Sequence, residues 1–387
     1  MVPVVYSPRY LAYDFGPDHP FTPHRLEMVT SLLEALGERP PWVEPEPARR
    51  EDVLRVHAER FVRRVEAASR GELSDDLVHY GLGTGDTPAF PGMDEAARIL
   101  AGGTLTAVRL VATGEAERAL QLGGGLHHAQ FDRASGFCVY NDLAVAIRWA
   151  LDRGLRVAYV DVDVHHGDGV QWIFYDEPRV LTLSLHESGR YLFPGTGFVH
   201  ELGRGAAVGT KLNLPLEPFT EDESWIQAFE TVVPEAIRAF RPDLVLVQAG
   251  ADAHHLDPLA DLLLTTRAFR HAFTRLLELA EAHAGGRIVF TLGGGYSLDA
   301  TPRVWALLYF LVQGKTPPEV LPEGWRRRWE AALGQPLTPT LEDPAPAFAV
   351  PRRAEIARKN RHTAERLLAL MGSFNPPGRT GSSGSSR

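Results

Sequence analysis

The sequence predicts an α/β fold with an open, mainly parallel β-sheet and helices on both faces. Short runs of β-branched residues alternate with longer segments of helical spacing, which is typical of right-handed crossovers between parallel strands. Clusters of glycine, histidine and aspartate follow the predicted strands, at the carboxyl ends where open parallel sheets bind ligands. An active site is therefore expected at the carboxyl ends of the strands.

The predicted elements cover most of the chain up to residue 315. Strands are expected at 2–6, 118–122, 156–162, 179–185, 244–248 and 287–292, and helices at 25–36, 51–68, 94–112, 143–151, 223–240, 265–284 and 300–311. Frequent prolines then predict an irregular wrap, followed by a helix at 354–371. We predict one domain over 1–372, with its motifs in about 1–315, and a disordered tail at 373–387.

The composition disfavours several classes of protein. With 387 residues, 44% of them hydrophobic, the chain has enough apolar material for a globular core. Its net charge of −9 disfavours a nucleic-acid binder, which needs a basic surface. The single cysteine, Cys138, excludes an internal disulfide and a cysteine-based zinc cluster, so a reducing compartment is expected. Neither a signal peptide nor a membrane-spanning apolar run is recognisable, so we expect a cytoplasmic protein without membrane partners.

Five predicted strands each lead into a polar motif. Gly-Gly-Gly-Leu-His-His follows 118–122, His-His-Gly-Asp-Gly follows 156–162, and His-Glu follows 179–185. Ala-Gly-Ala-Asp-Ala-His-His comes after 244–248, and Gly-Gly-Gly-Tyr comes after 287–292. Because parallel strands end at one edge of a sheet, these five loops are expected to converge on one crevice.

The most informative motif follows the strand at 156–162, where carboxylates and imidazoles crowd a strand end. Asp163 and His165, with Asp252 from the 244–248 strand, would make a mixed nitrogen and oxygen site for a divalent metal. Three protein ligands leave a position for water, as in catalytic zinc sites, and the same ligands suit Fe(II). The alternative is an acidic, solvated turn, which seldom follows such an apolar run.

Further candidates surround this predicted metal site. His127 and His128 follow a glycine-rich turn, and Asp161 and Asp168 would pair with them as two His/Asp dyads, either of which suits a general base. The two histidines would otherwise be ordinary loop residues. Tyr296 is a candidate donor to a developing oxyanion, although a packing role explains it equally well.

Other residues are weaker candidates. Phe137 and Phe193 would form apolar walls or belong to the core, and His254 and His255 are expected in supporting or surface positions.

Taken together, these motifs resemble the histone deacetylase superfamily, in particular its bacterial acetoin-utilisation branch. The matching segments are Gly-Gly-Gly-Leu-His127-His128-Ala, Ala-Ser-Gly-Phe-Cys-Val-Tyr-Asn-Asp, Asp161-Val-Asp163-Val-His165-His-Gly-Asp168-Gly, Ser-Leu-His-Glu-Ser, Phe193-Pro-Gly-Thr-Gly, Gly-Ala-Asp252 and Gly-Gly-Gly-Tyr296. They occur in the family's order over roughly residues 1–315, and Asp-His19-Pro-Phe-Thr-Pro-His-Arg25 resembles the family's opening.

The resemblance implies an arginase/deacetylase-type fold that hydrolyses an acetamide with one divalent metal, zinc above iron, held by Asp163, His165 and Asp252. It makes His128 the general base and acid and His127 an electrostatic partner, supported by Asp168 and Asp161 respectively, while Tyr296 polarises the acetyl carbonyl. A tunnel for acetyl-lysine would be lined by Gly136, Phe137, Phe193 and Leu259, with Asp86 at its rim, although the loop carrying Asp86 has one residue more than the family's pattern.

The resemblance also implies a structural monovalent cation, potassium, near Asp161, Asp163, His165, Ser184 and Leu185. A second potassium-type site near Phe174 and Val180 lacks the polar side chains that the family's pattern has, and none is predicted there.

The predicted function is therefore metal-dependent deacetylation of lysine side chains in proteins. An acetylpolyamine amidohydrolase is the nearest rival, although the insertion typical of those relatives is not evident between Leu77 and Asp94. An arginase-like ureohydrolase would need more carboxylates to hold a second metal. A module that binds acetyl-lysine without cleaving it would not need the catalytic residues. The branch suggests a metabolic protein partner, for example an acetyl-CoA synthetase; the sequence does not indicate an oligomeric state.

Overall fold

The fold is an eight-stranded, all-parallel β-sheet with helices on both faces, seen in a computed structural model that describes residues 1–345 and 349–373. The strand order is β2-β1-β3-β8-β7-β4-β5-β6. The strands are β1 (Val4–Val5), β2 (Trp42–Val43), β3 (Arg118–Gln121), β4 (Val157–Asp161), β5 (Val180–Glu187), β6 (Lys211–Leu216), β7 (Leu244–Gln248) and β8 (Ile288–Thr291). The predicted fold class is confirmed.

The helices connect these strands as crossovers and cover the sheet. They are α1 (His24–Ala35), α2 (Arg50–Leu54), α3 (Glu59–Ser69), α4 (Met93–Ala112), α5 (Asp142–Leu151), α6 (Asp168–Ile173), α7 (Asp222–Phe240), α8 (Thr266–Ala284), α9 (Ala300–Val312), α10 (Glu323–Leu333) and α11 (Arg353–Ser373). Over the described residues, none of these helices is both long and apolar enough to span a membrane.

Side-chain alternation along the strands divides the core into two apolar layers. In β4, Ala158 and Val160 belong to a cluster that includes residues of α1, α7, α8 and α9, whereas Val157 and Tyr159 belong to a second cluster that includes residues of α5. Because both faces of the central strands are covered, these strands are apolar throughout rather than alternating with polar residues. This burial explains why they are recognisable in the sequence.

One predicted helix is divided in the structure, and two strands and the short helix α6 lie outside the predicted elements. The helix expected at 51–68 is divided into α2 and α3, because His57 turns inward between them, where its Nδ1 and Nε2 contact the carbonyl of Gln130 and the amide of Asn141. Strands β2 and β6 were not predicted. The first has two residues, and β6 contains Pro215, which weakens the strand pattern.

Hydrogen bonds of α11 join the C-terminal segment to the rest of the fold. The buried Asn360 of α11 accepts from the Glu217 amide and donates to the hydroxyls of Thr220 and Ser224. The single domain over 1–372 stays a prediction. The tail predicted at 373–387 lies outside the described residues except for Ser373, which ends α11.

Candidate active site

The carboxyl ends of β3, β8, β7 and β4 lie at one level of the sheet, beside Ser184 of β5. Interstrand pairing places Gln121 beside Thr291, Thr291 beside Gln248, Gln248 beside Asp161, and Asp161 beside Ser184. The loops that follow these residues carry the histidines, aspartates and glycines of the sequence motifs. This register explains how motifs far apart in the chain meet in one crevice.

Asp163, His165 and Asp252 meet as a buried cluster. One possible ligand atom from each lies within 4.8 Å of the others. The Nδ1 atom of His165 is 3.1 Å from Asp163 Oδ1 and 3.1 Å from Asp252 Oδ2. The cluster therefore presents one imidazole nitrogen and two carboxylates toward a common point, the donor set expected for zinc or Fe(II).

Hydrogen bonds to the backbone fix these ligands. Asp163 Oδ1 accepts from the His165 amide at 3.0 Å, and Asp252 Oδ1 accepts from the Val164 amide at 2.8 Å. The other oxygen of Asp163 accepts from the Gln248 side chain at 2.7 Å and from the Gly294 amide at 2.8 Å. A Cβ atom at Gly294 would lie 2.0 Å from Asp252 Oδ2, so glycine is required for this close approach.

The electrostatics of the cluster favour a bound cation. Burial opposes the charged form of His165, yet hydrogen bonds with Asp163 and Asp252 raise its pKa to about 10. Burial and the nearby Asp163 charge raise the pKa of Asp252 above its usual range. Two carboxylates this deeply buried need positive charge beside them, which a proton on His165 supplies and a divalent ion would supply in its place.

His127 and His128 form the two predicted dyads with aspartates. His127 Nδ1 lies 2.7 Å from Asp161 Oδ2, and His128 Nδ1 lies 2.7 Å from Asp168 Oδ1. The two Nε2 atoms are 3.0 Å apart. Each carboxylate therefore fixes one ring and leaves its Nε2 atom facing the other histidine.

The two histidines have opposite pKa shifts. For His127, burial is outweighed by Asp161 and Asp163, which raise the pKa to about 9. For His128, burial and the positive charge of His127 lower the pKa to about 4. At neutral pH the pair thus combines a charged His127 with a neutral His128, the form that accepts a proton.

Aromatic side chains lie beside His128 and Tyr296. The Phe193 ring lies 5.0 Å from the His128 ring, and the Phe137 ring lies 5.7 Å from the Tyr296 ring, as centroid separations. Gly136 lies between His128 and Phe193, since a Cβ there would be 2.5 Å from His128 Cδ2 and 2.8 Å from Phe193 Cε1. Gly136, Phe137 and Phe193 therefore form an apolar wall beside His128 and Tyr296.

Phe137 has an unusual backbone that orients its ring. Its φ is 68°, in the left-handed region that a non-glycine residue seldom adopts. The Tyr13 hydroxyl donates to the Phe137 carbonyl at 2.7 Å and holds this conformation. Such strain, offset by surrounding contacts, is common beside active sites.

The two remaining predicted substrate-binding residues, Asp86 at the rim and Leu259 in the tunnel, differ in burial. Asp86 is exposed, and its carbonyl lies 3.3 Å from Nε2 of His19, whose ring packs 4.6 Å from Phe137. Leu259 is half-buried, and its amide donates to Asp257 at 3.0 Å. Contact of Asp86 and Leu259 with a substrate stays a prediction.

Several residues that support the site were missed in the sequence. Gln130 donates to Asp168 Oδ2 at 2.7 Å, Asn141 donates to the His127 carbonyl at 3.3 Å, and Asp142 accepts from two amides in the glycine-rich loop. Asn141 and Asp142 belong to the Val-Tyr-Asn-Asp motif. This motif is recognisable in the sequence, but it does not predict the hydrogen bonds that these two residues make.

The residues predicted around a monovalent cation are all buried, and two of them, Asp163 and His165, belong to the candidate metal cluster. Asp161 pairs across the sheet with Ser184, whose hydroxyl contacts His186 Nδ1 at 2.8 Å, and Leu185 follows in β5. Potassium binding by Asp161, Asp163, His165, Ser184 and Leu185 stays a prediction.

The buried side-chain amino group of Lys211 lies beside Val180. This is the position at which we predict no second cation site from the sequence. Lys211 Nζ donates to the Val180 carbonyl at 2.6 Å, the Thr210 hydroxyl at 2.9 Å and the Glu177 carbonyl at 3.2 Å. The side chain is fully buried. The Lys211 amino group therefore occupies this position itself.

His254, His255 and Asp343 form a second group with spacing suitable for a metal. Asp343 is already occupied, however, because it contacts His254 Nε2 at 2.8 Å and accepts from Arg303 and the Thr266 amide at 2.8 Å each. The positive guanidinium opposes a bound cation. This group fastens the C-terminal segment behind the site, consistent with the supporting position expected for His254.

Comparison with known protein families identifies the chain. Residues 19–310 match the model of the histone deacetylase domain. The chain belongs to the histone deacetylase family. It is 42% identical to the acetoin utilization protein AcuC of Bacillus subtilis (strain 168) over 370 residues, which cover 94% of this chain and 96% of that protein. AcuC of Staphylococcus aureus (strain MRSA252) is 36% identical over 367 residues, covering 93% and 94%.

Solved structures show the same fold. A histone deacetylase homologue from Aquifex aeolicus matches with a TM-score of 0.85 and 29% identity, covering 95% of this chain and 99% of that one. The same values hold for a homologue in complex with SAHA. The expected family, its AcuC branch and the arginase/deacetylase-type fold are therefore confirmed, and the protein is a hydrolase of the histone deacetylase family.

Proposed function

We propose that this protein is a metal-dependent hydrolase that removes acetyl groups from lysine side chains in proteins. The observation that supports this most strongly is the buried Asp163, His165 and Asp252 cluster beside the His128–Asp168 dyad, with the Phe193 ring packed against His128. A divalent ion held by these three residues would supply Lewis-acid polarisation of the carbonyl and lower the pKa of water. Family membership supports the same class of reaction.

The His128 ring moves the proton in this reaction. Its Nε2 atom accepts a proton from the attacking water as the water oxygen bonds to the acetyl carbon. The C–N bond then breaks, and His128 returns the proton to the leaving amine, giving acetate and free lysine. Asp168 holds Nδ1 protonated, so that Nε2 is the basic atom, and a charged His127 stabilises negative charge that develops nearby.

Tyr296 and the apolar wall bind and orient the acetyl group. The Tyr296 hydroxyl donates to the carbonyl oxygen as it gains negative charge. Burial, with the charges of Asp252 and Asp163, raises the pKa of Tyr296 far above neutrality, so the hydroxyl keeps its proton. Phe137 and Phe193 would enclose the butyl stem of acetyl-lysine and exclude water.

We propose zinc as the resident metal, with Fe(II) as the alternative, because one imidazole and two carboxylates suit both. A structural potassium ion near Ser184 is part of the same proposal. For substrates, we propose an acetylated metabolic protein, such as an acetyl-CoA synthetase, in keeping with the acetoin-utilisation relatives. The cytoplasmic location stays a prediction.

One experiment separates the main rivals. The purified chain is stripped with a chelator, reloaded with zinc or Fe(II), and tested on acetylated peptides and on acetylspermidine. We expect the reloaded protein to hydrolyse the peptides faster than acetylspermidine. Faster turnover of acetylspermidine would favour the polyamine amidohydrolase, and peptide binding without hydrolysis under either metal would favour the non-catalytic module.

A further inference from the structure

Tyr296 ends a glycine-rich loop and depends on outside contacts for its position. Gly293, Gly294 and Gly295 precede it and contribute no side chains that could fix the loop. Arg25 donates to the carbonyls of Gly293 at 3.0 Å and Gly295 at 3.2 Å, which holds the loop before the tyrosine. The position of the tyrosine itself requires a second restraint.

We propose that Asp257 is this restraint, a positioning residue that acts through Tyr296. Its Oδ2 atom accepts from the Tyr296 amide at 2.7 Å and from the Ser297 amide at 3.3 Å. The side chain is nearly buried, with 7% of the residue exposed. A buried carboxylate that receives two adjacent amides fixes both peptide planes, and therefore the direction in which the tyrosine leaves the backbone.

The same carboxylate also ties the tyrosine to the loop that carries a metal ligand. Asp257 Oδ1 accepts from the Leu259 amide at 3.0 Å, and the Asp257 amide donates to the His254 carbonyl at 2.8 Å. Asp252 lies five residues earlier in this loop. Asp257 thus connects the loop after β7, which carries Asp252 and Leu259, to Tyr296 in the loop after β8.

The contacts of Asp257 indicate that it positions Tyr296 and does not itself take part in the reaction. Both carboxylate oxygens are engaged by backbone amides, so the group already has the partners that keep it in place. Asp257 is not part of the cluster of possible metal ligands formed by Asp163, His165 and Asp252. The inference rests on the proposed deacetylation, because it assigns Asp257 a purpose only if Tyr296 polarises the carbonyl.

A double-mutant cycle tests the inference. Values of kcat and KM on an acetyl-lysine peptide are measured for the zinc-loaded native protein, Asp257→Asn, Tyr296→Phe and the double variant. We expect Asp257→Asn to lower kcat by about tenfold with little change in KM, since misplacing a catalytic group reduces the rate of the chemical step. In the Tyr296→Phe background the same change should lower kcat by less than about twofold, because the hydroxyl that it positions is gone.

Controls separate positioning from general damage. Asp261→Asn makes the same chemical change at an exposed side chain of the same loop and should leave kcat unchanged. Asp257→Ala, which removes both acceptors, should lower kcat more than Asp257→Asn, while metal content stays at the native level.

The measurements distinguish failure of the positioning inference from failure of the proposed function. Equal losses from Asp257→Asn in both backgrounds, or no loss in the native one, would overturn the positioning inference while leaving the proposed function intact. Absence of any peptide deacetylation by the metal-loaded native protein would overturn both.

Discussion

Replacement of Gly136 by alanine tests how closely the apolar wall packs against His128. The added Cβ would lie 2.5 Å from His128 Cδ2, whereas ordinary contact begins near 3.4 Å, so the imidazole must move by about 1 Å. A displacement of that size costs roughly a hundredfold in rate when it affects a catalytic group. We therefore expect Gly136→Ala to lower kcat on an acetyl-lysine peptide by about a hundredfold.

The same substitution also affects stability, and a control separates the two effects. Gly136 has a φ of +50°, so alanine adds about 1–2 kcal/mol of left-handed strain, and overpacking adds about 1–3 kcal/mol. Gly154→Ala creates the same kind of strain at a φ of +78° with nothing within 4 Å of the new Cβ. This control should lose stability in thermal unfolding but keep native turnover. Native kcat in folded Gly136→Ala would refute the placement of His128 beside Gly136.

Three further predictions concern single side chains. His128→Ala should retain metal but lose deacetylation by at least about a thousandfold, measured with the same peptide, and unchanged turnover would remove His128 from the mechanism. Tyr296→Phe should lower kcat by roughly a hundredfold while substrate still binds, whereas native rates would mean that another group polarises the carbonyl. Burial lowers the pKa of Lys211 from 10.5 to about 7. Between pH 7 and pH 10.5 the unfolded chain therefore binds more protons than the folded chain does. The unfolding free energy of the native protein relative to Lys211→Met should therefore rise from pH 7 to pH 10 in chemical denaturation, and a difference independent of pH would contradict the assigned burial.

Much of the fold and site can be predicted from the sequence because the chemistry lies at strand ends. The apolar run before Asp161 predicts a buried strand, and the residues after it then have to lie at the sheet edge. The same reasoning applies to Asp252 and Tyr296. Their convergence follows from parallel topology, which the alternation of strands and helices indicates without any information on tertiary contacts.

The supporting residues are not predictable in this way because their partners are distant in the chain. Nothing local indicates that Asp257 receives the Tyr296 amide, 39 residues away. His57 interrupts a helical pattern because it packs against residues 73 and 84 positions further on. Lys211 resembles an ordinary strand-end lysine until the carbonyls around its ammonium are known.

Asp163, His165 and Asp252 are proposed to hold one divalent ion together. Elemental analysis after chelation, zinc loading and desalting measures this directly for the native protein, Asp252→Asn and the control His255→Gln, which alters the second His/Asp group. We expect about one zinc per chain in the native protein and in His255→Gln, and little zinc in Asp252→Asn, because a neutral amide is a poor ligand in place of a carboxylate. Full zinc occupancy in Asp252→Asn, or its loss in His255→Gln, would contradict the claim.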